Sequence, residues 1–133
     1  MKEVFQITTF FIVDDDHLQH VLYRDMLEFN GHRVIGHAYD GCECVEKICC
    51  KDSVNRVEPD IILMDHRMPR KNGLEAMIEM LEFKPDLKVI FISADDSIRE
   101  KVLSNGAVAF ISKPVNISNL IKEIEQVLEI SST

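Results

Sequence analysis

The chain has 133 residues, 46% of them hydrophobic and 29% charged, which is ordinary globular composition and enough length for one domain with a core of its own. Against 23 Asp and Glu there are 15 Lys and Arg, a net charge of −8 that argues against nucleic-acid or anionic-membrane binding by this domain, since both need a basic face. No apolar run approaches the roughly 20 residues of a membrane span, and Lys2-Glu3 are not followed by an apolar stretch with a small-residue cleavage site, so no signal peptide is expected and the expected address is the cytoplasm.

Residues 7–13 are rich in β-branched and aromatic side chains and end abruptly in Asp14-Asp15-Asp16. A first helix is predicted behind them. Asp16 and Gln19 have capping-box spacing, Leu18, Val21, Leu22, Met26 and Phe29 recur at helical spacing, and Asn30-Gly31 supplies the stop. Residues 33–38 read as a second strand. Asp40-Gly41 opens a second helix that runs to about Lys51, and the polar stretch 52–58 reads as a surface loop. Ile61 to Met64 is an unbroken apolar run, the composition of a strand buried on both faces of a parallel sheet. It delivers Asp65 into a loop punctuated by Pro69 and Gly73.

Asn72 with Glu75 predicts a second capping box, and Leu74, Met77, Ile78 and Leu81 form a stripe that Lys84-Pro85 ends. Residues 87–93 are a fourth strand with a polar end at Ser93. Asp95-Asp96-Ser97 caps a shorter helix carrying Ile98, Val102 and Leu103, closed by Asn105-Gly106. Residues 107–112 are a fifth strand ending in Lys113-Pro114. The last helix starts near Asn116 with Ile117, Leu120, Ile121, Ile124, Val127 and Leu128 on one side, and Ser131-Ser132-Thr133 read as a frayed end. The four cysteines, Cys42, Cys44, Cys49 and Cys50, crowd into the second helix. A disulfide framework would spread them apart, and their spacing is not that of a zinc knuckle. They are read as reduced thiols, with Cys44 and Cys49 inward and Cys42 and Cys50 outward.

Strand and helix alternate five times, which predicts an α/β domain: a doubly wound parallel sheet of flavodoxin-like (βα)5 type, strand order 2-1-3-4-5, with its core over about residues 7–130. Ligands in such sheets bind at the carboxyl ends of the strands, where the order switches between strands one and three. Asp14 and Asp15, Asp65, Ser93 and Lys113 all end strands and so share that edge. Carboxylates crowded together repel unless a cation intervenes, and oxygen ligands without Cys or His favour Mg2+. A lysine and a serine hydroxyl beside them suit phosphoryl oxygens, and Asp65 can then serve as the nucleophile of an aspartyl-phosphate.

Val13-Asp14-Asp15, Met64-Asp65-x-x-Met68-Pro69-x-x-x-Gly73, Ser93-Ala94 and Lys113-Pro114 together resemble the receiver domain of two-component response regulators, over nearly the whole chain. The resemblance implies that Asp65 accepts a phosphoryl group from a sensor histidine kinase. It implies that Asp14, Asp15, Asp65 and the backbone carbonyl of Arg67 hold Mg2+, the loop of Met68, Pro69 and Gly73 being shaped for that carbonyl. It further implies that Ser93 and Lys113 bind the phosphoryl oxygens, that Lys113-Pro114 is cis, and that Phe110 is the switch aromatic, moving inward as Ser93 moves. The face of the fourth helix, fifth strand and fifth helix would then recognise a downstream protein target, with homodimerisation on phosphorylation as one outcome.

The chain departs from the family pattern in places. Ser93 and Lys113 lie only 20 positions apart, which predicts a fourth helix trimmed by part of a turn. The switch aromatic is Phe rather than Tyr, leaving no hydroxyl for a partner. His66 is expected to be exposed and turned from Asp65, and His17 with His20 to lie on a plain helix face rather than to bind zinc. Arg67 and Asp95, each two residues past a site residue, are expected to pair across the mouth and hinder hydrolytic water. Three other readings compete: a haloacid-dehalogenase-like hydrolase, which would need an acid where Arg67 stands; a pseudo-receiver, against which the full acid, serine and lysine set speaks; and a flavodoxin-like FMN binder, whose phosphate three acids would repel. No second domain is read after the last helix, and the chain is either a stand-alone receiver or part of a longer regulator.

Overall fold

Five short runs of β-branched and aromatic residues pair in parallel: β1 (Thr9–Val13), β2 (Arg33–Ala38), β3 (Ile61–Met64), β4 (Lys88–Ser93) and β5 (Ala109–Ser112), in the order β2-β1-β3-β4-β5. This is the predicted flavodoxin-like topology. The computed structural model describes residues 7–132, so the reading of Lys2-Glu3 and the end at Thr133 lie outside the described residues. The register keeps the carboxyl ends level, with Val13 opposite both Ala38 and Met64, Met64 opposite Phe91, and Ser93 opposite Ser112.

Alternation along the strands fills two cores. Phe11, Val13, Ile62, Met64, Val89 and Phe91 face α2 (Gly41–Ile48), α3 (Gly73–Phe83) and α4 (Arg99–Ser104). Phe10, Ile12, Ile61, Leu63, Ile90 and Ile92 face α1 (His17–Phe29) and α5 (Ile117–Ser132). Every residue of β3 is buried, which explains its unbroken apolar sequence. Each such side chain contributes about 1.5–3 kcal/mol by leaving water. Among the described residues no helix is long and apolar enough to cross a membrane.

The Asn72–Glu75 capping box forms with both of its hydrogen bonds. The one at α1 does not: the Asp16 carboxylate accepts from the Leu18 N–H, and the Gln19 backbone N–H donates to the Asp16 backbone oxygen. The stripe predicted for α1 is also displaced. Leu18 is 77% exposed and Phe29 90%, with Val21 and Leu22 exposed between them, while His20, Tyr23, Met26 and Leu27 face the sheet. The helix has turned its most apolar ribbon outward because His20 finds polar partners inside, and Tyr23 supplies the apolar bulk below it. In α3, Ala76 and Met80 do the packing expected of Ile78, which is exposed. In α5, Leu120, Ile124 and Val127 form the buried row, Ile117 is exposed, and the helix runs on through Ser131 and Ser132 where fraying was expected. α4 has 6 residues and is entered by a 3-10 turn over Asp96–Ile98, in keeping with the short interval in the sequence. α2 stops at Ile48, short of Lys51; Cys44 is buried, and Cys42, Cys49 and Cys50 are all half-buried free thiols.

Candidate functional site

Asp14, Asp65 and Lys113 each follow the last residue of a strand and keep one hydrogen bond to the neighbouring strand. Their N–H groups donate to Ala38 O at 3.2 Å, Val13 O at 2.9 Å and Ser93 O at 2.9 Å. The sheet thereby brings together the carboxylates of Asp14, Asp15 and Asp65, each of which offers one oxygen within 4.8 Å of the others'. Asp14 and Asp65 are buried and Asp15 is exposed. Lys113 Nζ stands 3.1 Å from Asp14 Oδ2 and 3.6 Å from Asp65 Oδ2, one ammonium shared by two acids. Ser93 is buried at the same edge, and its Oγ accepts the Asp95 N–H at 3.1 Å.

One lysine does not neutralise three carboxylates. Burial, and after it the Asp14 charge, pushes the Asp65 carboxyl up to about 6, with Lys113 pulling the other way. Burial works against the charge on Lys113, but Asp65 and Asp14 outweigh it and hold its pKa above the ordinary value. Hard oxygen donors with surplus negative charge and room for more than one ligand oxygen suit a small divalent cation.

The loop after β3 is tied down on two sides. Gly73 N–H donates to His66 O at 2.9 Å, and an added Cβ at Gly73 would stand 2.2 Å from Asp65 O. Arg70, at φ 68°, sends Nε and Nη2 to the two oxygens of Asp40 at 3.0 and 3.1 Å. Gly41 N–H donates to Lys71 O at 3.1 Å, an approach that a Cβ there, 2.3 Å from the same oxygen, would forbid. Sequence reading took Asp40-Gly41 only as a helix opener and missed this clamp, whose halves lie 30 positions apart. Lys113-Pro114 is cis, and Phe110 is buried with the Arg99 guanidinium 5.4 Å from its ring centre.

Arg67 and Asp95 do meet across the mouth, Nη2 to Oδ2 at 3.1 Å, with the Arg67 side chain 79% exposed and that of Asp95 18%. Asp95 also accepts from the Ser97 hydroxyl, and that bond first, then Arg67, holds its carboxyl below the ordinary range. His66 corrects the expectation of exposure: it is half-buried, its Nδ1 is enclosed without a hydrogen-bond partner, and its ring lies 6.5 Å from that of Phe91. His20 is likewise not on a plain helix face. It is buried and bonded to His37, a partner 17 positions away that no local pattern shows.

The family model for the response regulator receiver domain matches residues 10–125. The chain belongs to the response regulator receiver family. Among its relatives, this receiver is 32% identical over 118 residues to the chemotaxis protein CheY of Thermotoga maritima, covering 87% of this chain and 93% of that one. It is 29% identical over 119 residues to the response regulator GacA of Pseudomonas aeruginosa, where the match covers 87% of this chain and 53% of the relative. In structure the receiver resembles a chain of the CheX-CheY-BeF3-Mg2+ complex of Borrelia burgdorferi (TM-score 0.82, 28% identity, 91% of this chain and 89% of that one). It also resembles a CheY-like receiver from Methanospirillum hungatei (TM-score 0.82, 28% identity, 96% and 98%). The receiver domain family is one of phosphoacceptor signalling domains and not of turnover enzymes.

Proposed function

We propose that this receiver takes a phosphoryl group onto Asp65 from the phosphohistidine of a sensor histidine kinase and signals through the face of α4, β5 and α5. The observation that carries the reading is the buried Asp65 carboxylate, 3.6 Å from Lys113 and grouped with Asp14 and Asp15. In the transfer, the P–N bond of the donor breaks as an Asp65 oxygen bonds phosphorus. Asp14, Asp15, Asp65 and the backbone carbonyl of Arg67 would hold Mg2+, which supplies charge neutralisation for the phosphoryl oxygens when bound. Lys113 is placed to follow the new negative charge. The Ser93 hydroxyl, whose oxygen accepts from Asp95, keeps its own proton to donate to a phosphoryl oxygen. Phe110 and Ser93 are the switch pair, with Arg99 lying over the ring.

The donor has a surface to meet. Leu18, Val21 and Leu22 stand exposed on α1, the helix that starts beside Asp14–Asp16, and Ile117 stands exposed on α5, which starts just past Lys113. Between the two helices runs an open groove of about 720 Å3 whose apolar lining is Leu22, Met26, Phe29, Ile117 and Ile121. Exposed apolar area of this kind marks protein–protein contact. On the output face Leu103 and Val108 are exposed and available to a target or a second copy, whereas Ala107 belongs to the core.

Mass spectrometry after incubation with Mg2+ and a small acyl-phosphate donor tests the reading. One phosphoryl adduct is expected, absent from Asp65→Asn. Continuous phosphate release would support a hydrolase, and no adduct would support a pseudo-receiver. The Arg67–Asp95 pair should lengthen the life of the adduct by obstructing water. Asp95→Ala is expected to speed dephosphorylation severalfold, read as adduct decay after donor removal; an unchanged rate rejects that role.

A further inference from the structure

Beside the acidic edge lies a chain of hydrogen bonds that the chemistry above does not use. His20, 3% exposed, places Nε2 at 2.7 Å from the backbone oxygen of Asp14 and Nδ1 at 2.7 Å from Nδ1 of His37. A carbonyl oxygen only accepts, so Nε2 of His20 carries the proton and donates it. Nδ1 of His20 is then the lone-pair nitrogen, and His37 Nδ1–H donates to it. Burial, the largest influence on each, holds both imidazoles below their ordinary pKa, which suits a contact containing one proton. His37 is fixed in turn, because Lys47 Nζ donates to its backbone oxygen at 2.7 Å. Tyr39 packs on His20 with ring centres 4.2 Å apart, and His17 stacks on Tyr39 at 4.4 Å.

Asp14 is thus held from β2 twice. Its N–H donates to Ala38 O at 3.2 Å, and its carbonyl oxygen is reached through His20 from the residue next to Ala38. The peptide that joins Asp14 to Asp15 is planar, so pinning its oxygen fixes ψ of Asp14 and φ of Asp15 together. Those torsions set the relative aim of the two carboxylates. The Asp14 carboxylate is itself engaged by the Asp16 N–H at 2.9 Å and by Lys113 at 3.1 Å, which leaves the carbonyl as the handle by which α1 and β2 control the pair.

We infer that His20, braced by His37, is a positioning residue for the cation site: it aims Asp14 and Asp15 by holding the peptide between them. The inference rests on the reading of Asp14, Asp15 and Asp65 as Mg2+ ligands. Groups that orient ligands in this way change metal affinity by roughly 10- to 100-fold when removed.

The test is Mg2+ titration by calorimetry on the folded chain, with the thermal midpoint of each metal-free variant measured alongside. His20→Leu removes the donor to Asp14 and is expected to weaken Mg2+ binding at least about tenfold. His20→Gln keeps an amide N–H within reach of that carbonyl and is expected to bind close to wild type even though His37 loses its partner ring. A merely structural role would lower both midpoints without separating the two affinities. Should His20→Leu fail to fold, His37→Phe takes its place, and a severalfold loss of affinity is expected because His20 is left unbraced. Wild-type affinity in His20→Leu, or in a folded His37→Phe when His20→Leu cannot be made, overturns the inference, as does equal loss in the Leu and Gln variants. A wild-type chain that binds no Mg2+ overturns the reading of the acidic cluster and the inference with it.

Discussion

Without divalent cations, Asp65→Asn will be more stable than the wild type at pH 8 and close to it at pH 4. The Asp65 carboxyl is pushed up to about 6 in the folded chain, from an ordinary value of 3.8. Between those two values the folded state holds a proton that the unfolded state has released, so stability falls as pH rises through the window. The contribution is fully present below the unfolded value and lost once pH passes the folded one. At 1.36 kcal/mol per unit the loss is about 3 kcal/mol, on the order of 10 °C in Tm for a domain of this size. Asparagine keeps the shape and cannot ionise, so its profile through the window is flatter by that amount. Urea unfolding in EDTA at a series of pH values measures it, and parallel profiles for the two proteins would refute it. Adding Mg2+ should recover stability in the wild type and far less in the variant. The asparagine, having no carboxylate to attack phosphorus, should also show no phosphoryl adduct.

The second large effect is expected at Gly73. A Cβ there would meet Asp65 O at 2.2 Å and Met64 Cγ and Phe91 Cε2 at 3.0 Å. The first of these is backbone at the end of a fully buried strand and cannot rotate away. Either α3 lifts or the Asp65 peptide shifts. Gly73→Ala should therefore cost about 3 kcal/mol or more, at the upper end of overpacking. Phosphoryl uptake should fall about 100-fold, since a displacement of about 1 Å at a reacting group is enough for that. Gly31→Ala is the control. Its φ of 86° strains any side chain, yet no atom lies within 4 Å of the added carbon. It should cost about 1 kcal/mol and leave uptake unchanged. Equal uptake by the Gly73 variant and the wild type would show that the loop yields without moving Asp65.

Strand composition and the abrupt change from apolar to charged residues were enough to place Asp14, Asp65, Ser93 and Lys113 at one edge, because a parallel sheet leaves its carboxyl ends level. The Asn72–Glu75 box was legible for a similar reason: both partners lie within one turn. The inward face of α1 was not. A hydropathy stripe ranks Leu18 and Phe29 above His20 and Tyr23, and the bond that carries His20 inside comes from β2. The Arg70–Asp40 clamp and the enclosure of His66 escaped for the same cause, since each depends on a neighbour supplied by the fold and not by adjacent sequence.

The strand-end hydrogen bonds of Asp14, Asp65 and Lys113 have a consequence for how the domain comes apart. Each of these residues donates its amide hydrogen to the strand beside it, so the chemistry is wired into the same ladder that holds the sheet. The Asp65 amide joins the inner pair β1 and β3 and exchanges with solvent only when they separate, in the most cooperative unit of the domain, whereas those of Asp14 and Lys113 join the edge strands β2 and β5 to their neighbours. The loops that carry Arg67 and Asp95 can open and close around a floor that stays shut. Displacement of Asp65 and global unfolding are then a single event, and partial melting at either edge of the sheet leaves that carboxylate in place while its surroundings move.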